Sequence, residues 1–414
     1  PRTKTINDNN VDRMTRLIAL KRRTLAAALA LAAAAPALSS PQAVPSDKPV
    51  RIGYTMSRTG SCALGAQTSQ EPNYVLWAAQ VNAAGGLSVK GQKRKIELVA
   101  YDDRGEIETA VRTYEKLMGS DKVDLILPPW GSTMNFAVAP LANRYGYPFL
   151  APTALSRKLI DMQLPYFFSL LQQPDKMMVA LADMLAANGV KTAAVIYMDD
   201  LFGIENMASL RIAMKEKGIR IVETKSYPLG VKDLSPVLKS IKTMNPDAFI
   251  GITYPPDTIL ASTQAREIEF NPKFFYASVG TAFPLYKQRI GANAEGVLGM
   301  GSWNPKVSPG AKAYFDAHAT QMKKEPDRWA SGHTWAGLQI LQQSVEKVGL
   351  DRKALRAHIA GNEFDTILGK IRFQRGENAS IPGTVGQWQD GEFEVVWPKA
   401  RATAPLVAAK PAWK

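Results

Sequence analysis

The sequence predicts an α/β chain with parallel sheets flanked by helices, arranged as two similar lobes. Three observations predict it. Short apolar runs alternate with helix-periodic runs from Val50 to Ala277. The alternation breaks once, at Pro165, and then restarts. The chain has 414 residues, 46% of them hydrophobic and 21% charged, which is more than one ordinary domain holds. Strands alternating with helices imply parallel sheets covered on both faces.

The first run opens with a strand at Val50–Tyr54. A helix over Gln70–Ala84 follows, with Pro72 in its first turn and Gly85-Gly86 at its end. Lys90, Lys93, Arg94 and Lys95 form the only dense basic run after residue 40 and read as a hairpin. Ile96–Tyr101 is a strand. Ile107, Ala110, Val111, Tyr114 and Leu117 make a helical stripe that Gly119 ends. Val123–Leu127 is strand-like and leads into the turn Pro128–Thr133. A helix leaves that turn, because Met134, Ala137, Val138, Leu141, Ala142 and Tyr145 recur at helical spacing. Pro148–Ala151 is the next strand.

After Pro165, helices are expected at Lys176–Asn188, Ile204–Lys217, Leu234–Met244 and Thr258–Glu269. Strands are expected at Thr192–Tyr197, Ile219–Thr224, Asp247–Ile252 and Lys273–Ala277. The remainder is less regular. Val297–Met300, Ile367–Phe373 and Phe393–Trp397 read as strands, Gln387–Glu392 as a turn, and Ala311–Lys323 and His333–Val348 as helices. These pieces are too few for a third domain, so they complete the two lobes and the chain passes between lobes several times.

The formal charge is +14. Residues 1–40 hold seven Lys/Arg and two Asp/Glu, leaving 44 basic against 35 acidic residues in the rest. Those charges are scattered and lack interleaved aromatics, so a nucleic-acid surface is not expected. Arg16, Lys21, Arg22 and Arg23 precede the apolar stretch Leu25–Ala35, and Ala35, Ala37 and Ser39 follow. That is the layout of a secretory leader over residues 14–40, with cleavage expected between Ala37 and Ala43. Its apolar core is too short to span a bilayer. Arg22-Arg23 leaves a twin-arginine route open. Residues 1–13 lack leader character. Cys62 is the single cysteine, so stability must come from the cores.

Several chemistries have no signature here. There is no G-x-x-x-x-G-K-[ST] loop, no H-E-x-x-H and no G-x-S-x-G. Gly299-Met300-Gly301 lacks the third glycine of a dinucleotide loop. His318, His333 and His358 show no metal-ligand spacing. Asp102-Asp103 and Asp199-Asp200 are acidic pairs at strand ends with no nucleophile or metal partner, so they read as loop-ordering or helix-capping residues.

The turn Gly131-Ser132-Thr133 is the informative motif. Two hydroxyls sit where a helix begins, past the carboxyl end of a strand. Open α/β sheets bind ligands there, and the helix start favours an anion. The competing reading is that one hydroxyl only caps the helix.

The chain resembles the type I periplasmic solute-binding proteins of the branched-chain amino acid group, the receptors of ABC importers. The resemblance covers about residues 50–400. It rests on Ser57-Arg58-Thr59-Gly60 with Gly65, Asn82–Gly86, Tyr101-Asp102-Asp103, Gly131-Ser132-Thr133, Pro165–Phe168 with Pro174-Asp175, Phe202-Gly203, Pro246-Asp247-Ala248 and Glu295-Gly296-Val297. It implies two Rossmann-like lobes joined by three crossovers and closing on a ligand. The crossovers are expected near Leu164–Ser169, Met300–Pro305 and Phe364–Gly369. The first lobe would then hold 50–166 and 303–365, and the second 167–302 and 366–405.

The resemblance also implies site residues. Gly131, Ser132 and Thr133 would hold a ligand carboxylate. The loop Pro152–Ser156 would add Thr153, Ala154 and Ser156. Phe202 would cover the ligand from the second lobe, and Tyr254 and the loop Ser278–Thr281 would face the cleft. Trp130 would supply an aromatic wall or simply pack in the first lobe. Arg58 and Arg157 would offer a fork to a carboxylate or lie on the surface. In the amino-acid binders an acid in the last loop pairs with the ligand ammonium, and Ser278 stands at that place here. Asp257 and Asp103 are the acids left to compensate. A buried ammonium without a counter-charge costs several kcal/mol, so an amide or an aromatic acid fits as well as an amino acid.

The expected function is therefore an exported, monomeric receptor that delivers a small carboxylate-bearing solute to ABC permease subunits, with no catalysis, no cofactor and no metal. A ligand sensor of the same fold is the alternative, and a hydrolase a distant third.

Overall fold

The structure is a computed structural model and describes residues 46–414. The leader expected over residues 14–40 lies outside the described residues. The first strand, Ser46–Met56 (β1), precedes two short-linked helices, Ala63–Ser69 (α1) and Glu71–Ala83 (α2). Leu87–Val89 (β2) and Gln92–Asp102 (β3) form the basic hairpin, turning at Lys90-Gly91. Helix Ile107–Glu115 (α3) continues as one wider turn over Lys116–Ser120, which contains Gly119. Leu125–Ile126 (β4), Ser132–Tyr145 (α4), Phe149–Ala151 (β5), Arg157–Asp161 (α5) and Phe167–Ser169 (β6) follow.

The second alternating run is Pro174–Ala187 (α6), Thr192–Met198 (β7), Leu201–Glu216 (α7), Arg220–Tyr227 (β8), Ser235–Thr243 (α8), Ala248–Ile252 (β9), Pro255–Glu267 (α9), Phe274–Ala277 (β10), Pro284–Ile290 (α10) and Leu298–Gly299 (β11). Pro174 and Pro255 stand in the first turns of their helices, where a missing N–H costs nothing. Pro309–Met322 (α11), Ser331–Val348 (α12) and Arg352–Gly361 (α13) come next. The strands Glu363–Thr366 (β12), Gly369–Gln374 (β13), Glu377–Asn378 (β14), Val385–Gln389 (β15) and Glu392–Trp397 (β16) close the chain.

Three sheets result. The first has order β2-β3-β1-β4, with β1 parallel to β3 and β4. The second has order β12-β13-β14-β6-β5. Helix α12 packs on β2, α2 and β5, and so joins these two sheets into one lobe. The third sheet has order β16-β15-β11-β10-β9-β7-β8 and forms the second lobe. Its strands β7 to β11 pair in parallel, and β15 joins antiparallel to β11. Strand β9, Ala-Phe-Ile-Gly-Ile, is buried at every position, as a continuous apolar run covered on both faces must be.

The chain crosses between lobes three times: between Ser169 and Pro174, between Gly299 and Pro309, and between Asn378 and Val385. The crossing expected at Phe364–Gly369 is instead the β12–β13 hairpin. Residues 167–169 and 366–378 therefore belong with the first lobe's sheet, not the second. Ile367-Leu368 is the hairpin turn rather than strand, and Gln387–Gln389 is strand, leaving Asp390-Gly391 as the turn. One-sided strands such as β13 (Ile371 and Phe373 buried, their neighbours exposed) announce a sheet edge but not which sheet they join. Helices α1, α5 and α10, of five to seven residues, are too short to show a helical period in the sequence, and α13 is not among the expected helices either.

Gly203 shows how tightly the second lobe's strand ends are built. A Cβ there would lie 1.8 Å from the Met198 carbonyl oxygen. Gly203→Ala is expected to destabilise the fold by ~1–3 kcal/mol, read as a lower urea midpoint; an unchanged midpoint would show that the β7–α7 junction yields freely.

Candidate solute-binding cleft

The turn Pro128–Gly131 sits at the carboxyl edge of the first lobe and is pinned from below. The Pro128 carbonyl accepts from Gln70 Nε2 at 2.8 Å and from the Tyr74 hydroxyl at 3.1 Å. Asn135 Nδ2 donates to the carbonyls of Pro129 at 3.0 Å and Gly131 at 2.7 Å. Gly131 is the N-cap of α4 with φ 92° and ψ 152°, a backbone that only glycine adopts without strain. The N–H groups of the first turn point outward from this cap with no acceptor in the helix itself, as an anion site requires.

The hydroxyls divide their work differently from either sequence reading. Ser132 does not cap α4. Its Oγ donates to the Leu155 carbonyl at 3.1 Å and accepts from the Leu155 N–H at 3.0 Å, tying the 152–156 loop to the turn. Thr153 Oγ1 accepts from the Gly131 N–H at 3.1 Å and donates to Gln70 Oε1 at 3.0 Å. Ala154 is buried behind them, and its carbonyl accepts from Gln173 Nε2 and Ser169 Oγ. Ser278 repeats the device in the second lobe: its Oγ donates to the Thr253 carbonyl at 2.9 Å and accepts from the Thr253 N–H at 2.8 Å. These residues brace the strand ends. Of the two hydroxyls at the start of α4, Thr133 is the one that faces across, donating to Asp200 Oδ2 at 3.4 Å.

Asp200 is where the lobes meet. Its Oδ1 accepts from the Gly203 N–H at 2.9 Å and caps α7. Its Oδ2 accepts from Thr133 and, at 3.0 Å, from the Tyr254 hydroxyl. Burial pushes the Asp200 carboxyl above its ordinary range, against the pull of these donors. Phe202 stacks on Tyr254 with ring centroids 5.1 Å apart and planes at 21°. From the first lobe Trp130 meets Tyr254 edge-on at 5.1 Å, and Trp329 meets Trp130 at 6.3 Å. Trp130 is both wall and packing: its Nε1 donates to Ser69 Oγ at 2.9 Å, and its ring covers Gly65, where a Cβ would lie 2.2 Å from the indole.

Two arginines expected near the ligand are paired with acids. The Arg58 guanidinium lies 2.6 Å from Glu71, and its side chain is 45% exposed. Arg157 likewise pairs with Glu377 at 2.9 Å. Ser156 meets the other lobe rather than open cleft, donating to Glu205 Oε1 at 3.0 Å.

Asp103 and Asp257 complete the electrostatics. Asp103 is fully buried and accepts from Thr55 Oγ1 at 2.8 Å and Ser57 Oγ at 2.6 Å. Asp257, in the first turn of α9, is pushed up to about 6, first by burial and then by the charge of Asp200. Cys62 is close enough to sense all three: burial pushes its thiol up to about 11, and the charges of Asp103, Asp200 and Asp257 add to that. The three carboxylates thus converge on one region, and the described ion pairs join none of them to a cation. His318 and His333 are buried away from it, each driven down to about 4 by burial. Among the described residues no group of His, Cys, Asp and Glu is placed to hold a metal ion, and no helix is long and apolar enough to cross a membrane.

The sequence reading missed Asp200 as a contact between lobes, although the Asp199-Asp200 pair was visible at a strand end. Glu205 and Trp329 gave no signal, since each reads as an ordinary residue of a helix face or a loop.

Comparison with known proteins agrees with this architecture. The family model for periplasmic binding proteins matches residues 49–392. The chain belongs to that family. Leu/Ile/Val-binding protein homolog 7 of Brucella abortus (strain 2308) is 24% identical over 387 residues, covering 88% of this chain and 95% of the relative. Homolog 8 of the same organism is 23% identical over 380 residues, covering 86% and 92%. Among solved structures, the branched-chain amino acid substrate-binding protein LivJ of Streptococcus pneumoniae, in complex with isoleucine, has a TM-score of 0.75 at 20% identity, over 85% of this chain and all of that one (100%). A solute-binding protein of R. palustris in complex with benzoate also has a TM-score of 0.75, at 18% identity, over 89% and 99%. These likenesses establish a type I periplasmic-binding-protein fold.

The Asp257 carboxyl makes a signed prediction. Its raised value means that between about pH 4 and pH 6 the folded chain keeps a proton the unfolded chain has lost. Stability contributed by this group therefore falls as pH rises through that window and is level above it. Asp257→Asn removes the effect. The variant should gain ~1–3 kcal/mol relative to the parent on going from pH 4 to pH 7, measured by urea unfolding at both values; a difference that stays constant with pH would mean that the carboxyl is not desolvated.

Proposed function

We propose that this chain is the extracytoplasmic receptor of an ABC importer, brought across the inner membrane by the leader at 14–40, and that it captures a small solute between its lobes for permease subunits. One observation carries the reading. The anion-favouring start of α4 in the first lobe meets the Phe202–Tyr254 pair of the second, with Thr133 hydrogen-bonded across to Asp200, which Tyr254 of the same lobe also bonds. The names of the relatives and the isoleucine and benzoate in the two solved structures support the same solute class.

In this reading the solute carboxylate takes the N–H groups of the first turn of α4 and the Thr133 hydroxyl. Trp130, Phe202 and Tyr254 enclose its apolar body. The counter-charge expected at Ser278 comes instead from Asp200 and Asp257. Buried carboxylates without an ion pair favour a cationic partner, so the amine-bearing member of the class, an apolar amino acid, is preferred over a plain acid or an amide.

Thermal shift and calorimetry decide the matter. Leucine, isoleucine, valine and phenylalanine should raise the melting temperature by mass action, and the 2-oxo acids lacking the amine should do so less. If no amino acid, amide or aromatic acid shifts the transition, the receptor reading fails. Thr133→Ala should weaken binding by ~1–3 kcal/mol, the cost of one hydrogen bond to a charged group; an unchanged dissociation constant would remove Thr133 from the ligand.

A further inference from the structure

Helix α7 of the second lobe sends two carboxylates into the first lobe, and they are not equivalent. Asp200 divides itself: one oxygen caps its own helix, and the other shares Tyr254 of its own lobe with a long 3.4 Å contact to Thr133. Glu205, on the second turn, gives both oxygens to the first lobe. Oε1 accepts from Ser156 Oγ at 3.0 Å, and Oε2 accepts from the Arg157 N–H at 2.6 Å, the first N–H of α5. Helix α5 has no side-chain cap from its own lobe, so a carboxylate from the other lobe meets its free first-turn donor.

The Ser156 segment is held on its far side too. The Ser156 N–H donates to Gln173 Oε1 at 3.1 Å, and Gln173 Nε2 donates to Ser169 Oγ at 2.8 Å. Gln173 lies in the first segment that crosses between lobes. Ser156 thus joins the crossing segment on one side to α7 on the other, and its loop carries Leu155, the partner of Ser132.

We propose that Glu205 is a positioning residue for solute capture: its carboxylate latches the second lobe to the start of α5, and it sets how much of the protein is closed without touching the solute. Charge-assisted bonds to an N–H and a hydroxyl are short and strong, and only juxtaposed lobes supply both donors. A residue that stabilises the closed arrangement alone raises the competent fraction, and apparent affinity scales with that fraction. The inference goes beyond the receptor reading and its first test needs no solute.

Glu205→Ala and Ser156→Ala test it, with Glu205→Gln retaining one acceptor. In solution scattering the solute-free Glu205→Ala protein should have a larger radius of gyration than the parent, with Ser156→Ala and Glu205→Gln between them. Each variant should keep the parent's circular dichroism, because Glu205 bonds no group of its own lobe. For any solute that shifts the parent's melting temperature, Glu205→Ala should raise the dissociation constant about tenfold, chiefly through faster release, and saturating solute should return its radius to the parent's bound value. Solute-free scattering identical to the parent's for Glu205→Ala and Ser156→Ala overturns the latch, whatever the solute proves to be. If Glu205→Ala does not fold, the same comparison on Ser156→Ala and Glu205→Gln decides. If no solute binds, the receptor reading falls while the scattering result still stands or fails by itself.

Discussion

One carboxylate organises the second lobe's face toward the first. Asp200 stands two residues beyond β7, caps α7 and receives hydroxyls from Thr133 of one lobe and Tyr254 of the other. The cost of burying a charge is met here by three donors rather than by a cation. The placement of Phe202, two residues on, follows from the same cap, since α7 must begin where Asp200 Oδ1 meets the Gly203 N–H. With no Cβ at Gly203, α7 can begin this close to the Met198 carbonyl. The aromatic stack on Tyr254, and the edge of Trp130 against it, depend on that geometry.

Around this point the strand ends are made rigid by a repeated device. A serine hydroxyl in each lobe both donates to and accepts from a single backbone residue of the neighbouring loop, Leu155 for Ser132 and Thr253 for Ser278. Each such pair satisfies two buried backbone groups at once, which a buried loop must do. The result is two preformed edges carrying Thr133, Trp130, Phe202 and Tyr254. A surface of this kind suits selection of one closed arrangement by a ligand that bridges both edges.

Much of the fold was legible in the residues. The alternation of apolar runs and helical stripes places β1, α2, β3, α4 and the elements from α6 to β10 within a few residues. Periodicity failed where elements are short, as at α5, β12 and β14, and it left open which sheet β13 joins, because a strand edge looks alike in whichever sheet it pairs. The candidate site was legible as a place and not as a set of roles. Gly131-Ser132-Thr133 announces a helix start beyond a strand, but which hydroxyl braces and which one faces the gap depends on a loop more than twenty residues away. Ser278 was legible as a missing acid and Asp257 as a candidate to compensate for it, whereas the place of Asp200 between the lobes was not.

By itself, the sequence determined the fold class, the two-lobed rhythm and the turn at the start of α4, because these follow from local periodicity, glycine and proline placement and residue type. Only the tertiary structure decided that β13 and β14 return to the first lobe, that Ser132 and Ser278 are braces, that Arg58 pairs with Glu71, and that Asp200 and Glu205 bond the first lobe from the second. Those are pairings between residues distant in sequence. No local pattern encodes them, since a polar side chain takes whichever partner the folded chain brings within hydrogen-bonding distance.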